Sequence, residues 1–158
     1  MEPESFKPVA YADLKLGDSW RSHGRTLTET DLSLACMLTG DWHPIHADEE
    51  FARTTPIGKR MLHGPFGILL AAGMSTHLPE FADPVIGATG LREWSYRAPL
   101  VVGDTVHIET SIESKRITSD GKRAIVERRM KVVNQAGKVL QEGIVGAMFR
   151  LATPGAPA

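Results

Sequence analysis

The hydrophobic pattern of this chain changes rhythm near Pro79. Before it, apolar residues cluster as helices require; after it, they alternate with polar ones as half-buried strands do. Residues 1–16 read as an extended lead-in, with a turn at Leu16-Gly17-Asp18 and a first strand over 19–27 whose alternation is weak. Thr28, with Asp31 three positions on, is placed to cap a helix carrying Leu32, Leu34, Ala35 and Leu38, and Gly40 is placed to stop it. Asp48 can cap a short helix over 49–53 with an acidic first turn, and Pro56 and Gly58 punctuate the loop that follows. The pattern then predicts a third helix over about 65–78, with Pro65 at its first position. Phe66, Ile68, Leu69, Leu70, Ala71, Ala72 and Met74 leave it almost no polar face, so it is expected to be buried. Gly67 and Gly73 cost it about 1 kcal/mol each relative to Ala, which close backbone approach at both positions would explain.

Strands are predicted over 85–97, broken by Gly87 and Gly90, and over 105–117, where Val106, Ile108, Thr110 and Ile112 alternate. Asp120-Gly121 turns into a strand over 123–133, and Gln135-Ala136-Gly137 into one over 139–151. Neighbouring long strands with tight turns predict an antiparallel meander. One apolar helix and one long sheet give an α+β architecture in which the sheet wraps the helix. A sheet of roughly five strands also leaves edges that a second copy could cover. The Pro/Ala/Gly-rich tail, 152–158, is expected to fray, and the whole of 1–158 reads as one domain without internal repeats.

Charge and composition narrow the function. The formal net charge of −1 supplies no basic field for nucleic acid or an anionic membrane. The longest apolar stretch, 66–74, is too short to span a bilayer, and the N-terminal segment lacks the apolar core of a secretory signal. Cys36 is the only cysteine and lies on the apolar stripe of its helix, which points to a buried, inert thiol and a reducing cytoplasm. No glycine-rich phosphate loop is present.

The candidate chemistry lies between Thr39 and His77. Asp41 and His46 are five apart with Pro44 between them, so they belong to a loop in which both side chains can converge on one water. With reference pKa values of about 3.9 and about 6.5, both can start as bases at neutral pH. The competing reading makes Asp41 a turn cap and His46 a loop histidine. His43 and His46, with Asp48 or His63, could ligate a metal, but the spacing matches no standard site, so no metal is expected. Trp42 is expected as a pocket wall or core residue. His63-Gly64-Pro65 leads into the apolar helix, where the Gly64 N–H could face a carbonyl oxygen. Arg53, Lys59, Arg60, Arg92 and Arg97 could meet phosphates of a substrate carrier, or simply be solvated surface.

The run TGDWHPIHADEEFA followed by IGKRMLHGPFG resembles the hydratase motif of the MaoC-like (R)-specific enoyl-CoA hydratases. That family commonly has Gly-Asp-x-Asn-Pro-(Ile/Leu)-His, then Ala-His-Gly before a buried helix. His43 therefore stands where Asn is common, and Leu62 where Ala is common. The resemblance spans about 17–151. It implies a hot dog fold, dimers with active sites near the subunit interface, Asp41 and His46 as catalytic residues, and Gly64 as the oxyanion-hole residue.

The expected activity is hydration of a trans-2-enoyl-CoA to an (R)-3-hydroxyacyl-CoA, and the reverse dehydration, by syn addition of water. No cofactor is implied beyond the coenzyme A of the substrate itself. His43, Trp42, His63 and Leu62 are the expected substrate-binding neighbours. The alternatives are thioester hydrolysis on the same scaffold, and an acyl-binding subunit without catalysis.

Overall fold

The computed structural model describes residues 9–78 and 85–151. The expected frayed tail and the first part of the lead-in, 1–8, lie outside the described residues. Short strands β1 (Ser19–Arg21) and β2 (Arg25–Thr26) come first. Helices α1 (Glu29–Thr39), α2 (Pro44–Ala47), α3 (Glu49–Arg53) and α4 (Phe66–Ser75) follow, then the long strands β3 (Val85–Tyr96), β4 (Thr105–Ile117), β5 (Arg123–Asn134) and β6 (Val139–Arg150). The expected first strand thus divides in two. Between the halves the Ser22 hydroxyl accepts the Ile108 N–H at 2.8 Å, replacing a backbone ladder bond.

One antiparallel sheet has the order β1-β4-β5-β6-β3, with β2 also on β4. The β4-β5-β6 meander arises where the turn residues predict it. Register shifts interrupt β4 between Ile112 and Ser114, β5 between Val132 and Val133, and β3 at three places. Such irregularities bend strands and increase twist. Helix α4 packs on β4 and β5. There Leu70 and Ala71 join Val106, Ile108, Met130, Val132 and Leu140 in the main core. A second core, built on Leu14, Ile112, Val126 and Phe149, lies beyond it, so the lead-in is anchored by Leu14.

Two expectations about helix faces need correction. In α1, Leu32, Ala35 and Cys36 are buried, whereas Leu34 and Leu38 are exposed. In α4, only Gly67, Leu70, Ala71 and Ser75 are buried, and Leu69 is 62% exposed. One side of α4 meets the sheet; the other borders an open groove shared with Ser22, Gly24 and Arg25. At Gly67 the close neighbour is the Gln141 side-chain amide, not another stretch of backbone, and at Gly73 an added Cβ would meet nothing within 4 Å. The helix also starts one residue late, with Pro65 as N-cap, and ends at Ser75, not at residue 78. There the Ser75 and Thr76 hydroxyls turn back onto the Ala72 and Gly73 carbonyls.

Candidate active site

The site begins where α1 stops. Thr28 and Asp31 form a reciprocal capping box at its start, and at its end Gly40 takes φ 72° and donates its N–H to the Cys36 carbonyl. That left-handed turn, which glycine adopts at little cost, throws the chain off the helix axis. The Thr39 hydroxyl then accepts the Asp41 N–H at 3.2 Å. Asp41 in turn accepts the His43 N–H through Oδ1 at 3.0 Å, closing a local turn.

His43 caps the four-residue helix α2, its Nδ1 accepting the Ile45 N–H at 3.2 Å, with Pro44 just inside. An Asn side chain would supply the same kind of acceptor at an N-cap, so the His43 departure preserves this local contact. Helix α2 delivers His46 inward, where it is buried. His46 Nδ1 faces the Met61 carbonyl at 2.6 Å. A carbonyl only accepts, so Nδ1 carries the proton and Nε2 of the neutral ring keeps its lone pair. That Nε2 lies 3.7 Å from Asp41 Oδ2.

Met61 is held on both sides, by its own N–H to the Ile45 carbonyl at 3.2 Å and by a bridge to Val101. His63, buried like His46, donates its Nε2–H to the Asp41 carbonyl at 3.0 Å and stacks on the His46 ring, centroid to centroid 3.8 Å at 22°. Its Nδ1 is buried with no partner among the described residues. Asp41 remains half-exposed, and the His43 N–H bonded to it is the main reason its carboxyl lies below the usual carboxylate range. Partial burial works against that effect, and the neighbouring histidines reinforce it.

Asp41, His46 and His63 therefore converge, with one donor atom of each within 4.8 Å of the others. Such a trio could reach one metal ion by distance. However, His63 offers its Nε2 to the Asp41 carbonyl, so ligation through that atom would cost the bond that holds the loop. As a water-activating device the arrangement needs no rearrangement: a lone pair and a carboxylate face one point. Asp41 also proves to be the turn acceptor of the competing reading, but His46 is not a solvent-exposed loop histidine.

The other expected residues are placed differently. Leu62 is 1% exposed, part of the main core, and also borders a cavity of about 300 Å³ that includes Gly64, Tyr96 and Gln141. The Gly64 N–H donates to no group among the described residues. Trp42 is 57% exposed, so it is not a core residue; the Asp41–His43 turn leaves it on the outside. Arg53, Arg60, Arg92 and Arg97 each pair with glutamates, which favours the solvated-surface reading for these four. Local pattern does not mark Gln141 or Tyr96 beside Gly64, or Trp94 on Gln141; the one sign is a polar residue within an apolar strand.

The chain resembles known proteins over most of its length. The chain spans 31% of the Klebsiella aerogenes "Protein MaoC", to which it is 32% identical over 107 residues, 68% of this chain. It is 33% identical to a 3-hydroxybutyryl-CoA dehydratase of Methylorubrum extorquens, covering 71% of this chain and 68% of that one. With an (R)-specific enoyl-CoA hydratase of Rhodospirillum rubrum it shares 31% identity over 84% of this chain and 86% of the other. Among solved structures, an R-hydratase of Pseudomonas aeruginosa matches with a TM-score of 0.69 and 27% identity, over 96% of this chain and 95% of that chain. A Mycobacterium tuberculosis protein with a double hot dog fold matches with a TM-score of 0.80 at 18% identity, over 96% of this chain and 47% of the other, a likeness of fold alone. The profile of the MaoC-like domain covers residues 15–135, and with the hot dog sheet and the Asp41–His46 loop in place, the chain belongs to the MaoC-like dehydratase family.

Proposed function

We propose that this protein interconverts a trans-2-enoyl-CoA and the (R)-3-hydroxyacyl-CoA. The observation that carries the reading is the pairing of His46 Nε2 with the Asp41 carboxylate across 3.7 Å, the other ring nitrogen being tied to Met61. Two acceptors that far apart do not bond to each other, but both can hold one water. In hydration, the water oxygen bonds to Cβ as the C=C π pair moves toward Cα and the thioester oxygen. The Asp41–His46 pair takes the proton that the water loses, and a proton passes from the same side to Cα. The atoms balance as one water added syn. Charge gathers on the thioester oxygen during the step, and the Gly64 N–H, unpaired among the described residues, is the donor assigned to it. The relatives named as an enoyl-CoA hydratase and a 3-hydroxybutyryl-CoA dehydratase support the choice of chemistry.

The test is a panel of enoyl-CoA substrates of different chain length. Loss of enoyl absorbance without release of free thiol supports hydration. Thiol release would identify a thioesterase instead. Stoichiometric binding with no turnover across the panel would make the protein an acyl-binding subunit and defeat the proposal.

A further inference from the structure

Gln141 lies on β6 and is 2% exposed among apolar neighbours. Burying a carboxamide is costly unless it is fully bonded, so a Gln here calls for local partners. It has two. Its Nε2 donates to the Gly64 carbonyl at 3.0 Å, and its Oε1 accepts the Trp94 indole N–H at 2.9 Å. Because an indole N–H can only donate, Trp94 fixes which end of the amide faces Gly64. The same Gly64 carbonyl accepts the Gly67 N–H at 3.2 Å, so both of its lone pairs are engaged.

The next residue, Pro65, has no N–H. The Gly64 N–H, which donates to no group among the described residues, is a free donor of this turn, and glycine's own backbone torsions do little to hold its direction. The Tyr96 ring packs against Gly64, its atoms 3.0–3.3 Å from where a Cβ would stand. Gly67 makes room for the clamp: a Cβ there would lie 2.1 Å from Gln141 Oε1.

We propose that Gln141, oriented by Trp94 and admitted by Gly67, is a positioning residue that holds the Gly64 turn so that its N–H points at the substrate oxygen. The role assigned to that N–H rests on the hydration reading; the clamp itself does not.

Gln141→Met keeps the length of the side chain and removes both polar atoms. Its hydration kcat should fall by about 10- to 100-fold, with KM little changed, as expected when a transition-state donor is displaced. Selective ¹⁵N-glycine labelling should show the Gly64 amide resonance shifted in the same variant. Gly67→Ala alone should lower Tm, and adding Gln141→Ala should restore the fold without restoring kcat. Trp94→Phe, a milder change, should lower kcat in the same direction and serves if Gln141→Met does not fold. Wild-type kcat in the folded Gly67→Ala/Gln141→Ala protein, or an unmoved Gly64 resonance in Gln141→Met or Trp94→Phe, would overturn the positioning role. A wild-type protein that hydrates no enoyl-CoA, yet whose Gly64 resonance moves in the variants, would overturn the hydration reading and leave the clamp standing.

Discussion

Asp41 and His46 face one point, but the fold holds them in unlike ways, and their variants should differ accordingly. Asp41 is half-exposed and anchored by one backbone N–H, which keeps its carboxyl below the usual range and charged at neutral pH. Asp41→Asn should remove about 100-fold or more of kcat, the scale of a lost general base, while leaving Tm near that of the wild type. His46 is buried and donates to the Met61 carbonyl, so His46→Gln should lose similar activity and also destabilise the fold by about 1–3 kcal/mol. That cost sets His46 apart from an ordinary polar loop residue. If the two groups act on one water, the double variant should be little worse in kcat than either single. Multiplying losses would mean separate steps. Near wild-type hydration by Asp41→Asn would end the assignment.

At the scale of elements, the caps and stops of α1 and α3 formed as expected, whereas the bounds of α4 and the face assignments did not. The Thr28 cap, the Gly40 stop and the Asp48 cap depend on residues within a few positions, and all form as expected. The exposure of Leu69 and Gly73 depends on which side of α4 meets the sheet, which the helix's own sequence does not encode. Gly73→Ala should therefore stabilise the chain by about 0.5–1 kcal/mol, since a helix-interior glycine is replaced with no clash. A lower Tm for this variant would show that Gly73 meets something else. The β4–β5 turn offers a second test. Asp120, bonded to the Thr118 hydroxyl, the Lys122 N–H and Arg123, has its pKa lowered from 3.8 to about 2. A carboxyl depressed on folding contributes stability that is complete above its unfolded pKa and is lost as pH falls through its folded one. The window here runs from about pH 4 down to about pH 2. Asp120→Asn should lower Tm slightly at neutral pH and flatten its dependence on pH across that window. An unchanged acid slope would place the acid sensitivity elsewhere.

For the molecule as a whole, the sequence carried the sheet and half of the site. The strands were legible because alternation and turn residues are local; the approach of Asp41 to His46 was legible because the two lie close together in the chain. What completes the site comes from afar: His46 reaches Met61 across 15 residues, His63 reaches Asp41 across 22, and Gln141 reaches Gly64 across 77. No local pattern announces such contacts. The strand that brings Tyr96 to Gly64 and Trp94 to Gln141 also lies at the edge of the sheet. Among the described residues β3 pairs with β6 alone, and its outer edge carries Ile86 and Leu91, 50% and 43% exposed. Three register shifts bend this edge, yet it runs twelve residues with apolar side chains and no partner on its outer side among the described residues, so another strand can still add to it. Two copies joined along β3 by a two-fold axis would pair both edges at once and close the assembly. The proteins should then size as dimers, or multiples of dimers, by light scattering at micromolar concentration. Leu91→Lys, which sets like charges along the proposed seam, should shift the population toward monomer. Because β3 also supports the Gly64 turn, the monomer should lose hydration activity even though Leu91 touches none of Asp41, His46 or Gly64. A wild type that sizes only as a monomer while hydrating enoyl-CoA at full rate would sink both the seam and its link to the site.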